Sequence, residues 1–142
     1  MKFKSITMEN FMRYKGVNTI EFSCDPGKNV TVVLGDNTVG KTTIAQAFRF
    51  GLYGAVNMEK WKNADDYQLL NNDVLAFMDA DSKAAVSVTI VAADEEKQYT
   101  ICRKTIYSRN YPQMTCREFQ KKVSMKIADL QAPDVVTEVD ER

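Results

Sequence analysis

The chain has no histidine, three cysteines, three prolines, six glycines and one tryptophan in 142 residues. Without histidine there is no imidazole to serve as a general base or a metal ligand near neutral pH. Cys24, Cys102 and Cys116 are odd in number and widely spaced. That speaks against a disulfide framework and shows no metal-ligand spacing, so reduced, half-buried thiols are expected. Neither sign of charge dominates: 19 basic residues face 19 acidic ones, for a formal net charge of +0. Strong global affinity for nucleic acid is therefore not expected, although a local basic patch stays open. The segment Met1-Lys2-Phe3-Lys4-Ser5 is charged but no apolar signal core follows it. No apolar run reaches membrane-spanning length. The expectation is a cytoplasmic protein without membrane contact. Its length is near the mode for one domain and allows a real core.

What the chain does have is Gly35-Asp36-Asn37-Thr38-Val39-Gly40-Lys41-Thr42, a match to the phosphate-binding pattern G-x-x-x-x-G-K-[ST]. Ahead of it, Asn29-Val30-Thr31-Val32-Val33-Leu34 is apolar and β-branched and predicts a buried strand. Behind it, Thr43-Ile44-Ala45-Gln46-Ala47-Phe48-Arg49-Phe50 predicts a helix with Ile44, Phe48 and Leu52 on one face and a stop at Gly54. Strand, glycine loop and helix are the context the motif needs. Gly35 and Gly40 let backbone wrap an oxyanion, and loop and first-turn amides point inward as donors. The helix N-terminus adds partial positive charge. Lys41 can reach the β- and γ-phosphates, Thr42 can place its hydroxyl on Mg²⁺, and Thr43 adds a hydroxyl toward the α-phosphate.

Elsewhere the first residues alternate as a strand, Asn10 to Gly16 is a turn, and Val17 to Ser23 pairs back as a second strand. Asp25-Pro26-Gly27-Lys28 is a turn signal. Residues 55–82 read as irregular or helical. Met58 to Lys62 suggests a helical turn, Asn71-Asn72-Asp73 a cap or loop, and Trp61 a partly buried anchor more than a stacking platform. Residues 83–128 read as an antiparallel meander, with strands over Ala84 to Ala93, Gln98 to Ser108, Gln113 to Lys121 and Val123 to Ile127. Residues 129–142 read as a loose tail.

Ile90-Val91-Ala92-Ala93-Asp94-Glu95 matches a Walker B pattern, four apolar residues followed by two acids. In that reading Asp94 holds Mg²⁺ and Glu95 polarises the attacking water, making the chain a complete small phosphate-loop ATPase or kinase. The alternation interrupted by Ser87 and Thr89 is instead that of a half-buried antiparallel strand. A second alternating run begins at once at Lys97, as in a hairpin.

On these residues the chain resembles the N-terminal lobe of an ATP-binding-cassette ATPase of the SMC type. That group includes the coiled-coil double-strand-break repair ATPases, SbcC, RecF and the DndD proteins of DNA sulfur modification and restriction. Ile6-Thr7-Met8-Glu9-Asn10-Phe11 is similar to the opening strand, and Tyr14, Gly16 and Ile20-Glu21-Phe22 are most like DndD. Residues Asn29 to Gly54 carry the loop and helix. Tyr99-Thr100-Ile101-Cys102-Arg103 resembles the lobe's hairpin. Thr38 and Val39 replace the usual glycine and small residue. Met12 stands where a basic residue is common, and Arg13, next along, takes the expected nucleotide contact.

The resemblance implies an α/β phosphate-loop fold of the ABC type: a mixed sheet around the loop helix with an antiparallel meander, as a partial domain. It implies ATP and Mg²⁺ as cofactors, bound by Gly35, Asp36, Asn37, Thr38, Val39, Gly40, Lys41, Thr42, Thr43 and Arg13, with Thr42 on the metal. It implies as partners the C-terminal lobe of the same ATPase, a second ATPase head, and DNA in the full assembly. The signature, the family's own Walker B and the histidine switch are expected from that other lobe, so this chain reads as a fragment or one half of a split protein that binds nucleotide but hydrolyses it poorly. The basic residues Arg103, Lys104, Arg109, Arg117, Lys121, Lys122 and Lys126, with Tyr107 and Tyr111, form either a DNA-facing patch or a solvated sheet face.

Overall fold

The structure, a computed structural model, describes residues 1–36, 39–56, 68–132 and 135–141. Among them are β1 (Lys2–Glu9), β2 (Val17–Glu21), α1 (Lys41–Tyr53), α2 (Asn72–Ala76), β3 (Lys83–Ala93), β4 (Lys97–Arg109), β5 (Cys116–Asp129) and β6 (Val136–Glu141). The strands form one sheet in the order β2-β1-β3-β4-β5-β6, and every pairing is antiparallel. The expected mixed sheet is thus corrected to an antiparallel one over the described residues.

Alternation sorts the sheet into two faces. Ile6, Met8, Val86, Val88 and Ile90 are fully buried on the inner face. Thr7, Thr19, Ser87 and Glu9 take the outer face, where Thr7 bonds Thr19 across β1–β2 at 2.9 Å and Ser87 donates to Glu9 at 2.9 Å. One face dry and one wet is how an antiparallel sheet satisfies both its backbone and its apolar residues.

Helix α1 lies on the inner face and buries Thr43, Ile44, Ala47, Phe50 and Gly51. This spacing is one helical stripe. Phe48 and Leu52 flank the stripe and are only partly buried, so the buried face is rotated from the one predicted. The cause is Gly51: a Cβ there would sit 2.6 Å from Ile90 Cδ1 and 3.1 Å from Val88 Cγ1. The glycine lets the helix settle onto β3. The second inner layer is the segment around α2, where Asn71 caps the helix by accepting from the amides of Asp73 and Val74. Leu69, Leu70, Leu75 and Met78 complete the core with Phe11 and Tyr107.

Three other expectations change. Gln113 to Ile127, read as two strands, contains one continuous β5 with a register shift opposite Ile106 and Tyr107; the shift breaks the alternation that a sequence reading follows. The tail, read as loose, pairs as β6 along the outer edge of β5, with Lys126 in an ion pair to Glu138. The largest change concerns Asn29 to Leu34. It forms no strand, and Val30, Val32, Val33 and Leu34 are 76%, 69%, 44% and 87% exposed. Its sequence is apolar on both faces, and a strand of that kind requires neighbours on both edges and cover on both faces. The antiparallel sheet, closed by local hairpins, does not offer them. The helical turn read over Met58 to Lys62, and Trp61, lie outside the described residues, as do Asn37 and Thr38.

Candidate functional site

The phosphate-type loop runs from Gly35 into α1. Gly40, the residue before the helix, has φ 107°, a left-handed conformation that an L side chain resists. Having no side chain, Gly40 offers no cap, and the first turn of α1 holds no acid. The amides of the first turn have no partner within the helix, and the helix dipole points its positive end at them. Lys41 and Thr42 are exposed, whereas Thr43 is buried with 5% exposure. The ammonium of Lys41 donates to the carbonyls of Gly35 and Asp36, the second at 2.7 Å. It thereby closes the loop on itself. Asp36 and Val39 are exposed.

The β1–β2 turn supplies the wall of this site. Asn10 and Met12 both have φ 50°, an uncommon conformation for residues with side chains. They are held there by a dense set of bonds. Asn10 donates to the Ala85 carbonyl at 3.1 Å and accepts from the Gly16 amide at 2.9 Å. The Met12 amide donates to Leu69 at 2.6 Å, and Asn71 donates to the Met12 carbonyl at 2.8 Å. Two strained residues on either side of the buried Phe11 turn the next stretch toward the loop. Tyr14 lands on Gly40: a Cβ built at Gly40 would lie 3.3 Å from the tyrosine ring, and the hydroxyl is 3.5 Å from the Gly40 carbonyl. Burial pushes the Tyr14 hydroxyl above its ordinary range. Arg13 is exposed on the same turn.

Tyr14 is the site-wall residue that motif reading passes over. Its only signal in the sequence is its place in the resemblance, since no local spacing ties residue 14 to residue 40.

The Walker B candidates sit elsewhere. Ile90 to Ala93 belong to β3, which pairs antiparallel with both β1 and β4. Asp94 opens the hairpin turn. Its Oδ1 accepts from the amides of Glu96 at 3.0 Å and Lys97 at 2.8 Å, and its Oδ2 accepts from Tyr99 at 3.1 Å. Those backbone bonds, first to Lys97 and then to Glu96, hold the Asp94 carboxyl below the usual range. The carboxylate is thus committed to turn geometry, and Glu95 is solvent-exposed.

The basic residues divide between faces. Arg103 turns inward to α1 and donates to the Gly51 carbonyl at 3.4 Å. Arg109 bonds the carbonyls of Ala76 and Met78, anchoring the end of the α2 segment. Lys121 pairs with Glu118 at 2.7 Å. Lys104 stands directly opposite Lys122 on the outer face, and Arg117 donates to Ser108 at 3.2 Å there. The seven therefore do not form one patch.

A family model described as an AAA domain matches residues 5–137. The chain belongs to the AAA domain family. No curated protein matches it. Membership makes it a nucleotide-binding domain of ATPase type, a class that typically works with Mg²⁺. The residues present fit a nucleotide phosphate. An uncapped helix end, a left-handed glycine and a lysine within reach of the loop all favour an oxyanion. Among the described residues no helix is long and apolar enough to cross a membrane.

Proposed function

We propose that this chain is the ATP-binding N-terminal lobe of an SMC-like, ABC-type ATPase of the cytoplasm, one that couples ATP binding and hydrolysis to DNA repair, modification or restriction. The observation that supports it is the stretch Asn29 to Leu34: rich in apolar residues yet exposed and in no strand, immediately before the phosphate loop. Such a segment calls for strands from a second polypeptide surface, and the C-terminal lobe of the same ATPase is the partner with that role. A second head would then close the site from the opposite side.

In this reading Gly35 to Thr43, including Asn37 and Thr38, hold the triphosphate through loop amides, Lys41 and the α1 dipole. Thr42 is the ligand for Mg²⁺, which neutralises phosphate charge when bound. Lys41 exchanges its two loop carbonyls for phosphate oxygens. Tyr14 keeps Gly40 in its left-handed state, and Arg13 reaches the nucleotide from the same turn. The catalytic carboxylate comes from the partner lobe, so the chain alone binds nucleotide and turns it over poorly. DNA in the assembly meets the outer face of the sheet, where Lys104 and Lys122 stand opposite each other among serines and threonines.

The test combines Mg-ATP affinity with steady-state hydrolysis. Binding that falls about 10- to 100-fold in Lys41→Ala, the loss of one charged hydrogen-bond donor, together with negligible turnover by the isolated chain, supports the reading. Sustained turnover that disappears in Asp94→Asn or Glu95→Gln would establish instead a self-contained small ATPase or kinase.

A further inference from the structure

A cavity of about 260 Å³ lies between the C-terminal end of α1 and the β4–β5 pair. Helix α1 separates it from the phosphate loop by roughly 20 Å, at 1.5 Å of rise per residue. Phe50, Val56, Leu69 and Val123 give it an apolar lining, and Arg103 and Thr105 are its inward polar groups. An apolar cavity of about 150 Å³ already admits benzene, so this one has room for a ring with a substituent.

Two polar groups in it are unspent. Thr105 is 2% exposed, and its hydroxyl has no hydrogen-bond partner among the described residues. A buried hydroxyl left unpaired is costly, and such groups are rarely left so without a reason. Arg103 uses Nε on the Gly51 carbonyl at 3.4 Å, and among the described residues it has no carboxylate partner. Its Nη1 lies on the Cα side of Gly54, where a Cβ would come to 3.0 Å from it. The nearest acid lining the cavity, Glu118, is neutralised by Lys121 at 2.7 Å. With Lys104 also in the lining, the balance is a net positive charge above an apolar floor, and Arg103 carries the part of it that faces inward.

We propose that this cavity is a second binding site, for a compact amphipathic carboxylate: an aromatic or branched aliphatic acid. The Arg103 fork receives the carboxylate, the Thr105 hydroxyl donates to it, and the apolar part packs on Phe50, Leu69 and Val123. The guanidinium fork matches a carboxylate in planar, bidentate geometry, which a neutral amide does not reproduce. The site does not depend on the nucleotide reading, because no described residue of the phosphate loop lines it.

Sodium benzoate is the probe, titrated into the full chain and followed by NMR, with benzamide as the neutral control. The expected result is saturable shifts at Leu69, Thr105 and Val123, with benzamide at least tenfold weaker. Arg103→Gln removes the preference for benzoate over benzamide. Thr105→Val, nearly the same shape, weakens benzoate several-fold and guards against a folding defect in the arginine variant. Shifts that do not saturate, that appear on other residues, or that are equal for benzamide and benzoate overturn the proposal.

Discussion

The strands β1 to β5 and the segment Asn29 to Leu34 are written in a similar alphabet of valine, isoleucine and threonine, yet they end in opposite conditions. The strands bury Ile6, Met8, Val86, Val88 and Ile90 completely, whereas Val30 and Leu34 are 76% and 87% exposed. Composition does not separate them; the source of their partners does. β3 and β4 meet through the short Asp94 turn, and β1 and β2 through the turn at Asn10 to Gly16. Each strand of this kind has a hairpin neighbour within a few residues, β1 and β3 alone pairing across the helical segments between them, and each needs cover on one face only. The segment before the phosphate loop is apolar on both faces and, among the described residues, pairs with no strand.

Hydrogen exchange gives the sharpest version of this contrast. Amides of Val86 to Ile90 should open only with the whole fold, whose stability is on the order of 5–15 kcal/mol. Amides of Val30 to Leu34 should exchange near the unprotected rate, and under the proposed function they slow by orders of magnitude when the C-terminal lobe is added. Equal protection of the two stretches in the isolated chain breaks the comparison.

The next largest effect is on packing. Gly51→Ala forces a methyl into Ile90 and Val88 and should cost about 1–3 kcal/mol, as overpacking of a filled core does. Denaturant unfolding measures it, and an unchanged midpoint means that α1 has freedom to lift from β3. Tyr14→Ala should weaken nucleotide binding about tenfold, or ~1.4 kcal/mol, while Tyr14→Phe stays within a factor of about two because the ring, not the hydroxyl, backs Gly40. Titration calorimetry separates the two variants.

The smallest effect is on pH. Burial, and then Glu118, push the Cys116 thiol up to about 11 from an ordinary value of 9.0. The folded state therefore keeps a proton that the unfolded chain has already released. Cys116 supports the fold fully below about pH 9, and that support drains away as pH rises toward about 11. Unfolding midpoints should fall across this window, with a shallower slope in Cys116→Ser.

Much of this architecture was legible from local signals. The hairpin tip at Asp94 followed from two alternating runs either side of a charged turn, and that pattern correctly outweighed a Walker B match. The α1 span was readable because Gly54 stops it with φ 72°. Membership of the AAA domain family agrees with the loop motif. What local reading missed depends on distant contacts. The grip of Tyr14 on Gly40 rests on two left-handed residues held by partners near residues 70 and 85. The pairing of β6 needed the edge of β5 to be known, and the rotation of α1 depended on what lies under Gly51.

That last contact has an evolutionary reading. Positions 51, 88 and 90 share one volume, so a side chain gained at the first must be matched by atoms lost from the other two. Substitution at any one of them is admissible only in company. The three sites should therefore drift through sequence space as a single heritable unit, even though the helix and the strand that carry them lie far apart in the chain.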